Sequence, residues 1–174
     1  EDGLSSNCIE RILLIGKDSL LLGTNEGLCL YDAQKEKFSS IPSPDNSNFY
    51  VSDMAENGTK VFVASTTGLH IYDKRSQNIN RLFKGRLLRN SGYIIRKYAA
   101  TEISPQYSIQ FSAIYRDSQG TIWLGTTEDG LYRYNKSRET FLPVTLSSQD
   151  RKKIRYIRCL KEDMRGNLWI GTEI

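Results

Sequence analysis

The feature that most constrains the fold of this chain is an internal repeat. An apolar run that ends in Gly-Thr, or in a close variant, is followed within a few residues by a Gly-Leu-x-x-Tyr stretch. The apolar runs occupy residues 20–24, 61–65, 122–126 and 168–172. The small residue of the motif recurs after 41, 61 and 46 residues. Self-similarity at such a period is typical of architectures built from stacked structural units.

Each unit predicts a small antiparallel sheet of four strands. The apolar runs are rich in β-branched and aromatic residues, which favour strands. The glycine after each run accepts a positive φ without steric cost and therefore suits a turn. One further strand is predicted before each run, across hairpins such as Asn57-Gly58 and Asp117–Gly120, and another after each Gly-Leu stretch. Repeated four-stranded units that are apolar on both faces predict an all-β chain with the radial blades of a β-propeller.

The spacing predicts an incomplete ring of about three and a half blades. The predicted boundaries are blade 1 at 8–44, blade 2 at 49–83, an insertion at 84–107, blade 3 at 108–146 and a truncated blade 4 at 153–174. The chain begins with Glu1 rather than with methionine or a signal peptide, and it stops within the fourth copy of the motif. We therefore expect a segment of a longer protein, with uncovered blade faces that favour association.

Several positions are assigned to the framework of the repeat. One column of large residues is expected to form the core between neighbouring blades rather than a platform for a ligand; it contains Leu21, Phe62, Trp123 and Trp169. The framework glycines are Gly23, Gly27, Gly68, Gly125, Gly130 and Gly171. The only histidine, His70, shares its column with Cys29 and Tyr132, which have no chemistry in common with it. A structural role is therefore expected for His70.

The three cysteines, Cys8, Cys29 and Cys159, form no CxxC motif, which argues against a zinc knuckle or a thioredoxin-type site. One disulfide is compatible with the count, and the sequence does not choose its pair. We expect all three thiols to be reduced and mostly buried, since free cysteine packs as a small apolar residue. No apolar run reaches 18 residues, so no transmembrane helix is predicted.

The sequence offers little for catalysis, and no catalytic residue, metal or cofactor is predicted. It has a single histidine and no Gly-x-Ser-x-Gly, which disfavours nucleophilic catalysis. Clustered metal-ligating residues are also missing. Carboxylates that converge in space leave a lyase or glycosidase-type propeller enzyme as one alternative. A protein-interaction scaffold is another, although the Gly-His and Trp-Asp markers of WD repeats are absent.

The third and fourth copies of the motif resemble the two-component regulator propeller repeat. The resemblance lies in residues 117–126 with 130–135, and in residues 163–172. The first two copies are degenerate, because Leu21 and Phe62 replace tryptophan and Ala64-Ser65 replaces Gly-Thr. The likeness extends over nearly the whole chain outside residues 84–107.

This resemblance implies the periplasmic sensor of a hybrid two-component histidine kinase of Bacteroides-like gut bacteria. In that family two propellers and an immunoglobulin-like domain precede a membrane helix and the kinase, and the signal is an oligosaccharide that controls glycan-utilisation genes. The implied partners are an oligosaccharide, the remaining blades, neighbouring domains and, at full length, a second copy in a homodimer. The chain itself carries no kinase motif. No binding residue is carried over, because the family's ligand contacts are not part of the repeat.

Positive charge is concentrated in two segments. Residues 74–101 hold eight basic residues and no acidic one, residues 151–158 hold five more, and the rest of the chain carries 11 basic and 20 acidic residues. The first segment includes the longest spacing between repeats, and extra loop length often carries function. Arginine suits carboxylate and sulfate groups, and tyrosine can stack on sugar rings. The predicted ligand-binding residues are Arg86, Arg89, Tyr93, Arg96 and Tyr98.

These residues would favour an anionic oligosaccharide. The alternative is a solvated loop, or a loop that packs against an acidic neighbouring domain. Nucleic acid is not predicted as a partner, because no nucleic-acid-binding motif accompanies the charge.

Overall fold

A computed structural model of the chain describes residues 3–43, 48–84, 111–127, 130–137, 140–145, 147, 154 and 156–173. These residues form fourteen β-strands in four antiparallel sheets. None of them belongs to a helix that is long and apolar enough to span a membrane.

Each sheet is one blade, and its strands follow one another in chain order. Blade 1 contains β1 (Ile9–Leu14), β2 (Ser19–Thr24), β3 (Gly27–Asp32) and β4 (Lys37–Ile41). Blade 2 contains β5 (Val51–Asn57), β6 (Lys60–Ser65), β7 (Gly68–Asp73) and β8 (Asn78–Lys84). Blade 3 contains β9 (Phe111–Arg116), β10 (Ile122–Thr126), β11 (Leu131–Asn135) and β12 (Thr140–Pro143). Blade 4 contains β13 (Ile157–Glu162) and β14 (Leu168–Thr172).

The blades are arranged radially around their first strands. β1 packs against β5, β5 against β9, and β9 against β13, so these are the inner strands of the propeller. β4, β8 and β12 lie at the opposite edges of their sheets and are the outer strands. The four sheets form an open arc. The predicted all-β, incomplete propeller is confirmed.

The strand order also defines two faces of the arc. We term the face on which the inner strands begin the upper face. Each connection from an outer strand joins the next inner strand on this face. The turns between the second and third strands also lie on it. The hairpins between the first and second strands, such as Asp117–Gly120, lie on the lower face. The predicted insertion, apart from Lys84 at the end of β8, lies outside the described residues.

Neighbouring blades meet at the glycine of the Gly-Thr motif. A Cβ atom added to Gly23 would lie 2.5 Å from Cγ1 of Val51, and one added to Gly125 would lie 2.5 Å from Cγ2 of Ile157. Val51 and Ile157 are the first residues of β5 and β13, and both are fully buried. Glycine is needed at these positions because the next inner strand approaches the backbone closely.

The described residues form three hydrophobic cores, one between each pair of neighbouring blades. The core between blades 1 and 2 includes Leu21, and the core between blades 2 and 3 includes Phe62 with Ala64, which stands at the position of the motif glycine. Leu21 and Phe62 are buried in these cores. The core between blades 3 and 4 is the smallest, and half-buried Trp123 packs at its edge. Most of the large-residue column therefore lies between blades.

Trp169 departs from that column. Its side chain is 66% exposed, so the expected core position is wrong for this residue. The reason is that no described strand packs against this side of blade 4. Cys159 lies on the same side, where a Cβ atom on Gly171 would be 2.5 Å from its sulfur.

The cysteines only partly follow the sequence prediction. All three are free thiols, and Cys29 is buried. Cys8 and Cys159 are exposed, so the expectation of mostly buried cysteines is wrong. Cys8 immediately precedes β1 on the upper face, and Cys159 lies on the uncovered side of blade 4.

Both tryptophans make a hydrogen bond that sequence reasoning missed. The indole N–H of Trp123 donates to Oδ2 of Asp117 at 2.8 Å, and that of Trp169 donates to Oδ2 of Asp163 at 2.9 Å. Oδ1 of Asp117 accepts from the backbone N–H of Thr121 at 2.7 Å. Each aspartate thus ties the lower-face hairpin to the second strand. The signal in the sequence is an aspartate six residues before each tryptophan.

These hydrogen bonds lower the pKa of both aspartates. Burial alone would raise the pKa of Asp117, but the bonds from Trp123 and Thr121 outweigh it and bring the pKa below its usual value. Asp163 is partly exposed, and the hydrogen bonds from Trp169 and Asn167 hold its pKa well below the usual range.

The glycine contact between blades can be tested at Gly125. We expect Gly125→Ala to lower the free energy of unfolding by about 1–3 kcal/mol, because the new methyl group must displace buried Ile157. The matched control is Gly16→Ala, whose Cβ would meet only Ser19, at 3.9 Å. Urea denaturation measures both. Equal stability of the two variants would contradict the close contact.

The Asp117–Trp123 bond predicts a dependence of stability on pH. Because the folded-state pKa of Asp117 is lowered, its stabilisation is complete above the ordinary value of 3.8 and is lost as the pH falls through the lowered value. Urea denaturation between neutral pH and about pH 3 should therefore show a shrinking difference between the wild type and Asp117→Asn. Trp123→Phe, which keeps an aromatic ring without the N–H, should reduce the pH dependence. A constant difference across this range would argue against the bond.

Candidate ligand-binding face

Each inner strand carries a β-bulge just after it begins on the upper face. The bulged residue, which has no partner in the second strand, is Glu10 in blade 1, Ser52 in blade 2, Ser112 in blade 3 and Arg158 in blade 4. Bulges redirect side chains and are frequent beside functional sites. Their repetition places a row of polar side chains along the upper rim of the arc, where the inner strands meet.

The first part of this rim is a polar and aromatic cluster between blades 1 and 2. The guanidinium of Arg11 donates to Oδ1 of Asp53 at 3.0 Å and to the carbonyl oxygen of Glu10 at 2.7 Å. Tyr50 precedes β5 and is 38% exposed. Burial raises the pKa of its hydroxyl, and a hydrogen bond with the Glu10 carboxylate raises it further.

Asp53 connects the inner strands of three blades. Its Oδ1 accepts from Arg11 of β1 and, within its own strand, from the backbone N–H of Met54 at 2.9 Å. Its Oδ2 accepts from the backbone N–H of Ile114, in β9, at 3.0 Å. Asp53 therefore fixes the position of Arg11 relative to blades 2 and 3.

A similar group lies in blade 4. The guanidinium of Arg158 donates to the Glu173 carboxylate through Nε, at 2.8 Å, and through Nη2. Tyr156 stands one residue before β13, as Tyr50 stands before β5, and is 47% exposed. The backbone N–H of Tyr156 donates to the carbonyl oxygen of Thr127 in blade 3 at 2.9 Å. Tyrosine, arginine and carboxylate thus recur together at two places on the rim.

The described part of the rim carries no excess of positive charge. Arg11 is paired with Asp53, and Arg158 is paired with Glu173. Glu10 adds a further carboxylate. Such a surface offers donors and acceptors to sugar hydroxyl groups, together with tyrosine rings for contact with sugar C–H groups.

The ligand-binding residues predicted from the sequence lie outside the described residues; they are Arg86, Arg89, Tyr93, Arg96 and Tyr98. Of the second basic segment, Arg158 is the described arginine. Sequence reasoning missed Glu10, Arg11, Tyr50 and Tyr156. The sequence does contain one indication of this rim, a tyrosine one residue before two of the inner strands. This indication is recognisable only when the first residues of the inner strands are known.

Comparison with known proteins confirms the resemblance stated above. Residues 104–128 and 153–173 match the family model described as two component regulator propeller. No curated protein matches the chain.

Solved structures share the propeller fold with this chain. The extracellular domain of a putative hybrid two component system from Bacteroides thetaiotaomicron aligns with a TM-score of 0.74 and 22% identity, over 98% of this chain and 21% of that one. Another such extracellular domain from that organism aligns with a TM-score of 0.65 and 20% identity, over 96% of this chain and 20% of that one. An auxiliary nutrient binding protein from the same species aligns with a TM-score of 0.62 and 14% identity, over 98% of this chain and 36% of that one. The chain thus spans about a fifth of the first structure, at 21%.

The role of Asp53 predicts unequal effects of two substitutions. Asp53→Ala should lower the free energy of unfolding by about 1–3 kcal/mol, because it leaves the partly buried N–H of Ile114 without its acceptor. Arg11→Ala should cost less, since it removes one exposed partner and leaves the Asp53–Ile114 bond intact. Chemical denaturation of both variants checks this. The account is wrong if Arg11→Ala is the more destabilising change.

Proposed function

We propose that this chain is part of the extracytoplasmic sensor of a hybrid two-component regulator and helps to bind an oligosaccharide on its upper face. The bound glycan is the signal, and other domains of the full-length protein pass it on to the control of glycan-utilisation genes. The sensor lies in the periplasm as the ectodomain of an inner-membrane protein, and it acts as a homodimer at full length.

The observation that carries this proposal is the upper rim. Its bulged inner strands display Tyr50 with Glu10 and Arg11 at one place, and Tyr156 with Arg158 and Glu173 at another. Family membership of the repeat supports a sensor, since two stretches match the two component regulator propeller model. Structural neighbours described as extracellular domains of hybrid two component systems support the same role and compartment.

The proposed function does not include turnover of the glycan. The rim carboxylates of Asp53 and Glu173 are engaged by arginines and, for Asp53, by backbone amides. These partners already engage both carboxylates, and a glycosidase needs a carboxyl group that can turn to the glycosidic oxygen. The alternatives are a lyase or glycosidase-type propeller and a protein-interaction scaffold.

Incubation of the intact ectodomain with a panel of dietary and host glycans tests the function. We expect calorimetry to detect binding of one glycan class, and we expect reducing-end assays of the same mixtures to stay at the background level. Release of new ends, or of unsaturated sugars, would overturn the assignment in favour of an enzyme. Absence of binding by every glycan would favour the scaffold.

The position of the binding surface has its own test. Tyr50→Ala combined with Arg11→Gln should weaken glycan binding by about tenfold or more, because stacking and a paired donor are lost together. The matched control is Met164→Ala, at a fully exposed residue in a lower-face hairpin, which should bind like the wild type. Calorimetry with one bound glycan compares the three proteins. Weaker binding only in the Met164 variant would place the ligand on the lower face.

A further inference from the structure

A small cleft opens on the upper face beside the Tyr50 cluster, at the junction of blades 1 and 2. Its volume is about 170 Å³, and its described walls are the β2–β3 turn, the end of β4 with the two residues that follow, and residues 48–49 before β5. Its lining residues are Glu26, Ser40, Ile41, Pro42, Ser43, Asn48 and Phe49.

Phe49 of the cleft packs against both blades. Phe49 is buried and stacks on the His70 ring with a centroid distance of 4.8 Å and an interplanar angle of 14°. A Cβ atom on Gly27 would lie 3.6 Å from the Phe49 ring, so Phe49 packs on the β2–β3 turn as well. His70 is fully buried, and its Nε2 lies 3.2 Å from Oγ1 of Thr67. This packing matches the structural role expected for His70.

The lining combines hydroxyl, amide and carboxylate groups around a small apolar base. Ser40 and Ser43 each supply a donor and acceptor, Asn48 supplies both kinds of group, and Glu26 supplies acceptors. Sugar hydroxyls also donate and accept, so such a mixture is complementary to a polyhydroxylated ring. Ile41 and Pro42 add apolar contact for the C–H groups of the ring.

The size and the charge of the cleft restrict the kind of ligand that it can bind. The cleft, at about 170 Å³, is well below the roughly 300–1,000 Å³ of pockets for drug-sized ligands, and it therefore suits a single ring. Among the described lining residues, Glu26 is the only charged one. A carboxylate or sulfate placed there would be repelled by this residue.

We propose that this cleft is a subsite for one uncharged sugar residue of the ligand. This inference rests on the proposed function, and it deepens that function by assigning a neutral unit to the blade 1–2 junction. Phe49 of the cleft adjoins Tyr50 of the rim cluster along the chain, and the N–H of Asn25 in the β2–β3 turn donates to the carbonyl oxygen of Cys8, before β1, at 3.3 Å. A glycan can therefore extend from the cleft toward the axis over Tyr50.

Saturation-transfer NMR on the intact protein tests the subsite with single-ring probes. The probes are the methyl pyranosides of glucose, galactose and mannose and the matched methyl uronides of glucose and galactose. We expect at least one neutral pyranoside to bind the wild type weakly, and its matched uronide, where the panel holds one, to bind less well. Ser40→Trp should abolish the neutral signal by filling the cleft. Ser39→Trp, at the adjacent exposed position outside the lining, is the matched control and should retain it.

Two milder variants keep the test informative if Ser40→Trp perturbs the fold. Asn48→Ala should weaken binding of the neutral probe by about tenfold, through loss of its hydrogen bonds. Glu26→Gln should reduce the preference for the neutral ring over its uronide. The subsite is wrong if Ser40→Trp is folded and binds like the wild type, or if uronides bind as well as neutral rings.

These experiments distinguish failure of the proposed subsite from failure of the proposed function. A long glycan that binds the wild type and Ser40→Trp with equal affinity would reject the cleft and leave the sensor role standing. Failure of every glycan and every single-ring probe to bind the wild type would reject both.

Discussion

The structure depends on one close contact, which is the seating of each new inner strand on the small residue of the preceding blade. Val51 reaches Gly23, and Ile157 reaches Gly125, at distances that leave no room for a side chain on the glycine. This contact sets the spacing of the blades, and the three hydrophobic cores fill the wedge between them. Because the contact lies at the upper ends of β5 and β13, it also seats the starts of these inner strands against the preceding blades. The rim that we assign to ligand binding is therefore a consequence of how the blades stack.

Polar contacts then organise the rim that the packing creates. Asp53 accepts from Arg11 in blade 1 and from the backbone of Ile114 in blade 3, so one carboxylate fixes three inner strands. A ligand that engages Arg11 would act on a group already tied, through Asp53, to blades 2 and 3. The lower face is organised differently, since Asp117 and Asp163 bind the indoles of their own blades and close hairpins. The upper face therefore presents exposed tyrosines, whereas the lower face presents hairpins closed by aspartate–indole hydrogen bonds.

The repeat made the strands, their order and the incomplete ring predictable from the sequence. Apolar runs and turn glycines are local signals, and the structure follows them closely. Trp169 belongs to the large column but is exposed, because no described strand covers its side of blade 4. The uncovered blade faces expected of an incomplete ring account for this exposure, which the assignment of the column to the core did not take into account. The rim cluster was equally hidden, because Arg11 and Asp53 are 42 residues apart and share no motif. The cluster of positive charge in residues 74–101 predicted an anionic ligand through Arg86 and Arg89, which lie outside the described residues. The neutral sugar unit that we propose is instead argued from the described rim and cleft.

The central claim is that the ligand is bound on the upper face of the arc. Hydrogen–deuterium exchange of the intact ectodomain, with and without a bound glycan, tests this most directly. The account predicts slower exchange in the segment leading into β5, in the β2–β3 turn and at the start of β1, with little change in the Asp117–Gly120 and Asp163–Gly166 hairpins. Protection confined to those hairpins, with no change around Tyr50, would contradict it.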